Sequence, residues 1–348
     1  MSDSGNLHNP VHSSTIQNTT TNNVTFSLGP ATYLITGGTG SLGTALTMHL
    51  LSAGHKVRVL ARNEHGHEVL RDKAGKQADR LSCFLGAVED RARLELALQG
   101  VDYCIHAAAQ KVITLAEYNP WECVQTNVIG TENVVAACIA QGVKRAVFVS
   151  SDKACSPVTM YGASKLCGER LWLGGNKYAA GKGTEFVAVR YGNVWNSRGS
   201  IFQAFQIQAQ YGYLILTDPN CTRFHWRLED SMAFVLAALA DAPVGELWVP
   251  KLPSYRLGDL ARAFMQAAGL KKEPIVTGLR VGEKVHESMI SQDESCTVKT
   301  EAESRAESRY QLTPGTVHAK GGWELQSGAG NVRRMSRPEL VKLIEETR

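Results

Sequence analysis

The eight residues TGGTGSLG, Thr36 to Gly43, restrict what this chain can fold into more than any other stretch. They follow the β-branched run TYLIT directly. They precede a segment in which Leu42, Ala45, Leu46 and Leu50 share one helical face, closed by Gly54. Gly37, Gly40 and Gly43 at such a junction allow a tight turn and close backbone approach. A pyrophosphate can then sit on the helix N-terminus, where unpaired N–H groups point outward. The spacing is G-x-x-G-x-x-G rather than the G-x-G-x-x-G of other dinucleotide folds, and an isolated glycine triplet is often just a turn. Its place at the first strand-to-helix junction is what points to a dinucleotide, with Thr39, Ser41 and Leu42 as further contacts in the same turn.

Downstream, KVRVLA, SCFLG, VDYCIHAA, RAVFVSS and FVAVRYGNV read as buried strands separated by segments of 3.6-residue periodicity. This alternation predicts an α/β fold with a doubly wound parallel sheet covered by helices. A long helix is expected over about 121–141, with Val124, Val128, Val135 and Ile139 on one stripe. After Asn193 the alternation fades. Residues 31–193 are therefore assigned to the nucleotide-binding domain, with 231–250 returning to its sheet. Residues 194–230 and 251–348 are assigned to a smaller C-terminal substrate-binding lobe. The first 30 residues are rich in Ser, Thr and Asn and poor in apolar groups, so they read as a flexible polar tail. The N-x-T triplets at Asn18 and Asn23 read as chance matches.

At 348 residues the chain can build a sizeable core, and its net charge of +4 is spread without a basic block. That distribution lacks the footprint of a nucleic-acid binder. The eight cysteines show no C-x-x-C and no histidine at metal-ligand spacing, so they read as reduced thiols with no metal site. No secretory signal and no run of eighteen apolar residues is found, which points to a cytoplasmic protein without a membrane span.

The chemistry concentrates in SSDKACSPVTMYGASK, Ser150 to Lys165. Tyr161 and Lys165 are four residues apart after Pro157, so on a helix they share a face. For tyrosine to act as a base near neutrality its pKa must fall from about 10 to about 7, about 4 kcal/mol of differential stabilisation. A lysine ammonium and an oxidised nicotinamide are suitable sources. Ser151 can hydrogen-bond the reacting hydroxyl. Asp152 and Lys153 stand side by side at the end of a parallel strand, where ligands bind in such sheets. As a coupled pair they can hold one proton in two ways, and only protonated Asp with neutral Lys is ready for an elimination. Arg62, ending the second strand where an NAD-preferring site usually offers a carboxylate, favours NADP.

Together these segments closely resemble the configuration-inverting UDP-N-acetylglucosamine 4,6-dehydratases, a branch of the extended short-chain dehydrogenase/reductases. The likeness also runs through HAAAQKVITLAEYNPWECVQTNVIGTENV, VRYGNVWNSRGSIFQAF, LTDPNCTRFHWRLED, GLRVGEKVHE and NVRRMSRPELVKLI. The resemblance implies a Rossmann-type fold, NADP, a UDP-N-acetylhexosamine substrate and a homo-oligomer, dimer or hexamer, of the short soluble form. It implies that Tyr161 is the base at the C4 hydroxyl, Asp152 the acid at C6 and Lys153 the base at C5. Lys111 and Ala107, Ala108 and Ala109 would line the nicotinamide side, and Asn127 would steady it. Asn193, Arg198, Arg223, Arg280 and Glu283 would lie near the UDP moiety, Lys111 touching substrate as well. The chain departs from the family at Ala87, where an aspartate near adenine is usual, and at Trp195, Asn196, His225 and Arg227, expected around the sugar pocket.

Three other functions remain open. A UDP-sugar 4-epimerase would use Tyr161 and Lys165 but not the Asp152–Lys153 pair. A dehydratase with added C5 epimerase activity would use both. A non-catalytic NADP sensor would need neither.

Overall fold

A computed structural model describes residues 30–303, 308–318 and 321–347. The polar tail and both N-x-T triplets lie outside them. The glycine-rich turn follows the strand that lies third from one edge of a nine-stranded sheet. Its parallel part runs β3 (Leu81–Leu85), β2 (Lys56–Ala61), β1 (Thr32–Thr36), β4 (Tyr103–His106), β5 (Arg145–Val149), β6 (Glu185–Val189) and then Leu247–Pro250. The order reverses between β1 and β4, and the crevice at that switch point is where such sheets bind ligands. This is the Rossmann-type arrangement. Its strands are rich in β-branched residues because they are covered on both faces: Leu34, Ile35, Val147 and Val187 are fully buried.

The returning segment forms the helix Leu228–Asp241 and the strand Leu247–Pro250. The C-terminal stretch differs from the lobe assignment. Strands Val298–Glu303 and Ser308–Leu312 extend the main sheet, and Ser308–Leu312 pairs antiparallel with Leu247–Pro250. These short, polar strands carry too little apolar alternation to be recognised. A second core lies in the lobe, where Phe202, Phe205, Tyr255, Phe264, Leu340 and Ile344 pack together.

The helical run over 121–141 is not regular. Pro120–Val124 passes through a π-turn, Gln125–Ile129, into Gly130–Ala140. The π-turn adds a residue to the ladder and rotates the face. Cys123, Asn127 and Val134 are buried, whereas Val124, Val128 and Ile139 of the expected stripe are only half-buried.

Several helices begin with a side-chain cap: Asn63 accepts from the Gly66 N–H at 3.1 Å, Asp90 from Arg93 at 3.0 Å, and Thr159 from Gly162 at 3.1 Å. The first helix, α1 (Ser41–Ser52), has Gly40 at its N-cap and no side-chain cap. Its N-terminal N–H groups therefore stay available to an anion. No helix among the described residues is long and apolar enough to cross a membrane.

Candidate active site

A cavity of about 820 Å³ opens above the carboxyl ends of β1, β4 and β5. Gly37, Thr39, Gly40, Ser41, Leu42 and Gly43 form its floor, Arg62 one end, and Ala107, Ala108, Ala109 and Lys111 one wall. Ser151, Asp152, Lys153, Tyr161 and Lys165 stand at its centre, with Asn193, Arg198 and Arg280 on the lobe side. The glycines fit a dinucleotide for steric reasons. Gly37 has φ +69°, and a Cβ there would lie 2.8 Å from the Ala108 backbone; a Cβ on Gly43 would lie 2.5 Å from Gly38 Cα. Strain from such a backbone conformation costs about 1–3 kcal/mol. Gly37→Ala is therefore expected to weaken dinucleotide binding by tenfold or more, read by titrating cofactor fluorescence.

At the far end, Ala87 lines the cavity where the family's aspartate is usual, and Glu89 stands two residues on. Glu89 Oε1 accepts from Thr126 Oγ1 at 2.5 Å and lies 3.8 Å from Arg62 Nη1, while its Oε2 is buried without a partner. An orphaned carboxylate oxygen at this position can accept a bond from an adenine amino group.

The central residues sit on two elements. Ser151 to Lys153 leave the end of β5 in a single 3₁₀ turn, and Tyr161 and Lys165 lie one turn apart on the helix Met160–Tyr178. Ser151 Oγ donates to Asp152 Oδ1 at 2.9 Å and accepts from the Lys153 N–H at 3.3 Å. Lys153 Nζ donates to Asp152 Oδ2 at 2.9 Å and lies 3.1 Å from Glu287 Oε1. Burial pulls the lysine pKa down, but Asp152 and then Glu287 outweigh it and hold the ammonium above its usual range. The protein's own groups thus favour the charged form of Lys153.

Tyr161 is buried at the start of that helix. Burial raises its pKa, and the pull of Ser151 and Lys153 in the other direction does not cancel that effect. Lys165 aims its ammonium at Val149 O, 2.7 Å away, over the Phe148 ring at 3.9 Å, and burial lowers its pKa to about 7.

Three expected contacts do not reach the cavity wall. Asn127 is buried: its Oδ1 accepts from Gln110 N at 2.7 Å and its Nδ2 donates to Ser164 Oγ at 2.9 Å, tying the alanine loop to the tyrosine helix. Arg223 is turned inward. Its Nη1 donates to Thr222, Lys284 and Val285 carbonyls and its Nη2 to Glu283 Oε1 at 3.0 Å, so these donors are already spent within the protein. Glu283 also accepts from Thr217 Oγ1 at 2.9 Å and from the Arg280 N–H at 3.2 Å, shaping the loop that presents Arg280.

Four departures also lie away from the cavity. Trp195 Nε1 donates to Thr347 Oγ1 at 2.9 Å, Arg227 pairs with Glu346 at 3.1 Å, and His225 packs edge-on to Trp195. Those three seat the C-terminal helix, Arg337–Thr347. Asn196, at φ 51°, accepts from Gln203.

Two features escaped the sequence reading. Glu287, the last residue of GLRVGEKVHE, is one; its buried place beside Lys153 had no signal beyond that segment. The other is the ion cluster behind the site. Fully buried Arg190 makes a forked pair with Glu169 (2.9 and 2.6 Å) and another with Glu294 (2.6 and 2.9 Å), while Ser150 Oγ donates to Glu169 at 2.5 Å.

Comparison with known proteins agrees with this geometry. A UDP-N-acetylglucosamine 4,6-dehydratase (inverting) of Campylobacter jejuni is 41% identical over 264 residues, covering 75% of this chain and 78% of the relative. A UDP-glucose 4-epimerase of Rickettsia massiliae is 36% identical over 269 residues, covering 76% and 78%. The crystal structure of Pen from Bacillus thuringiensis superposes with a TM-score of 0.83 at 32% identity, covering 91% of this chain and 98% of that one. A dTDP-glucose 4,6-dehydratase from Streptomyces venezuelae, solved with NAD, is 20% identical with a TM-score of 0.67 over 73% and 86%, a likeness of fold alone. Residues 33–308 match the family described as polysaccharide biosynthesis protein, and the chain belongs to that family of extended short-chain dehydrogenase/reductases.

Proposed function

We propose that the protein is an enzyme that removes water from UDP-N-acetylglucosamine across C5 and C6, inverts C5, and releases a 4-keto-6-deoxy sugar nucleotide for surface-glycan synthesis. The observation that carries this reading is the Asp152–Lys153 pair, hydrogen-bonded at 2.9 Å, in the same cavity as Tyr161 and Lys165. A 4-epimerase needs only the latter two, which leaves the pair without a use. The Campylobacter jejuni relative, named as a UDP-N-acetylglucosamine 4,6-dehydratase (inverting), supports the same substrate class.

The N-terminus of α1 and the glycine turn would hold the pyrophosphate of NADP, Arg62 its 2′-phosphate, Glu89 its adenine, and Lys165 the nicotinamide end. A dinucleotide held there would supply hydride acceptance at C4, hydride return at C6 and the positive charge that a tyrosinate requires. Tyr161 receives the C4 hydroxyl proton, which Ser151 helps to orient. The resulting ketone acidifies C5, and Lys153, neutral once its proton has passed to Asp152, takes the C5 proton. Asp152 gives its proton to the C6 hydroxyl, which departs as water. A proton from solvent then reaches C5 from the opposite face, and Tyr161 returns to solvent the proton it took from the C4 hydroxyl. Atoms balance as the loss of one water. Arg198, whose N–H donates to Ser41 Oγ at 3.0 Å, and Arg280 present cationic groups for the diphosphate of the substrate. Exposed Leu115, Tyr118 and Trp121 on neighbouring turns support self-association.

The test is to incubate purified protein with UDP-N-acetylglucosamine, without added cofactor, and to weigh the product. A product lighter by one water is expected. A product of unchanged mass with inverted C4 would make the protein an epimerase. Nucleotide released on denaturation should carry a 2′-phosphate.

A further inference from the structure

Lys153 is held from two sides, and only one of its partners comes from its own loop. Glu287, from the C-terminal lobe, is 2% exposed and does not line the cavity. Its Oε1 lies 3.1 Å from Lys153 Nζ and 3.7 Å from Arg223 Nε, and its Oε2 is buried with no hydrogen-bond partner. Its own N–H donates to Ser327 Oγ at 2.9 Å, which fixes the backbone that carries it. Nearby, Lys284 donates to the Cys155 and Ser156 carbonyls at 2.8 and 2.7 Å, so the same segment clamps the loop that follows Lys153. Ser156 is one of the few non-glycine residues at positive φ.

An ionised carboxylate buried beside a base has a definite chemical consequence. As Lys153 takes the C5 proton it becomes an ammonium; Glu287, at hydrogen-bond range, favours that ammonium in the resting pair as well as after the step, so what it adds to the step is a fixed aim for the amine. The same charge is present before the reaction, so no reorganisation is needed. The buried aspartate of serine-hydrolase triads acts on its histidine in this way. Asp152 cannot fill this role alone, because it must carry a proton to C6 at that moment.

We infer that Glu287 is the positioning residue of the C5 deprotonation: from the lobe it aims Lys153 and lies at hydrogen-bond range of the ammonium formed on it. This rests on the dehydratase reading. The charged and titratable groups around it are Asp152 and Lys153 from the loop after β5, and Tyr161 from the helix beyond it. Arg223 and Tyr255 come from two strands of the lobe, and Glu283, Lys284 and His286 from its own segment. Removing the negative charge at Glu287 disfavours the protonated forms of the Asp152–Lys153 pair. Both limbs of the kcat/KM bell for water loss should therefore move to lower pH.

The experiment compares wild type, Glu287→Gln and Glu287→Asp with UDP-N-acetylglucosamine across pH. Glu287→Gln should lower kcat for dehydration about 10²-fold with KM changed less than about threefold. Reduced dinucleotide should accumulate in single turnover, because the step after C4 oxidation is slowed, and the bell should shift to lower pH. Glu287→Asp keeps the charge, so its bell should stay at the wild-type position with part of the rate restored. A Glu287→Gln enzyme with wild-type rate and bell overturns the inference. If Glu287→Gln does not fold, a Glu287→Asp bell displaced from wild type overturns it instead. A wild-type protein that loses no water at any pH defeats the dehydratase reading, a result distinct from either.

Discussion

Lys153→Met is expected to stop loss of water while the first oxidation still occurs. The lysine is the only amine within hydrogen-bond reach of Asp152 among the described residues, and it lines the cavity beside Tyr161. Methionine keeps much of the apolar stem but has no proton acceptor of comparable basicity. General acid–base steps of this kind contribute about 10²–10⁴-fold, so turnover should fall by that factor. In stopped-flow absorbance, reduced dinucleotide should appear on mixing with substrate and persist, because the 4-ketone has no base at C5. If hydride transfer and water loss fall equally, Lys153 is not specific to C5. The substitution also leaves Asp152 and Glu287 facing a gap, so the melting temperature is measured alongside; a drop there does not mimic an accumulation of reduced dinucleotide.

Arg190→Met has the largest expected effect on stability. Arg190 is fully buried and is the common partner of Glu169 and Glu294, with a further bond to Met289 O at 2.8 Å. Removing it leaves two carboxylates near each other in a dry setting, where breaking a buried pair costs about 3–5 kcal/mol. Urea denaturation at neutral pH should show that loss. The pH dependence has a definite sign. Burial would raise the Glu294 pKa, but Arg190 outweighs it and the carboxyl is held below its usual 4.5. In the wild type its contribution is therefore present above about 4.5 and lost as pH falls through the lower folded value. In the variant Glu294 keeps only the more distant Arg170, 3.8 Å away, and loses its forked partner, so the deficit should be widest near neutrality and narrow on acidification. A pH-independent deficit would mean that packing around the guanidinium, rather than its charge, is what counts. Arg190→Lys should recover only part, because one ammonium cannot form two forked pairs.

The glycine turn could be read from sequence because its requirement is local: a positive φ at Gly37 and a backbone too close for a side chain at Gly43 leave few alternatives. The parallel strands were legible because burial on both faces demands unbroken apolar runs. Asp152 and Lys153 drew attention because adjacency is itself a sequence property. Glu287 and the Arg190 cluster were not legible, since Arg190 meets Glu294 across 104 positions and no periodicity encodes that meeting. The stripe of Val124, Val128 and Ile139 was misjudged for a different reason: a π-turn shifts the helix phase by a residue that a fixed 3.6-residue period cannot anticipate. Trp195, His225 and Arg227 looked like changes to the sugar pocket, but Trp195 and Arg227 find their partners in the C-terminal helix and His225 packs against Trp195, so they bear on how the lobe is seated.

What distinguishes this site from a general hydride-transfer site is the acid and base beside Tyr161, and the fate of the C5 proton reports on them. The decisive measurement is proton NMR of the reaction with UDP-N-acetylglucosamine in D₂O. The account predicts a 4-keto-6-deoxy product carrying solvent deuterium at C5, with coupling constants of the inverted configuration. Recovery of substrate and its C4 epimer, with C5 still protonated, would contradict it.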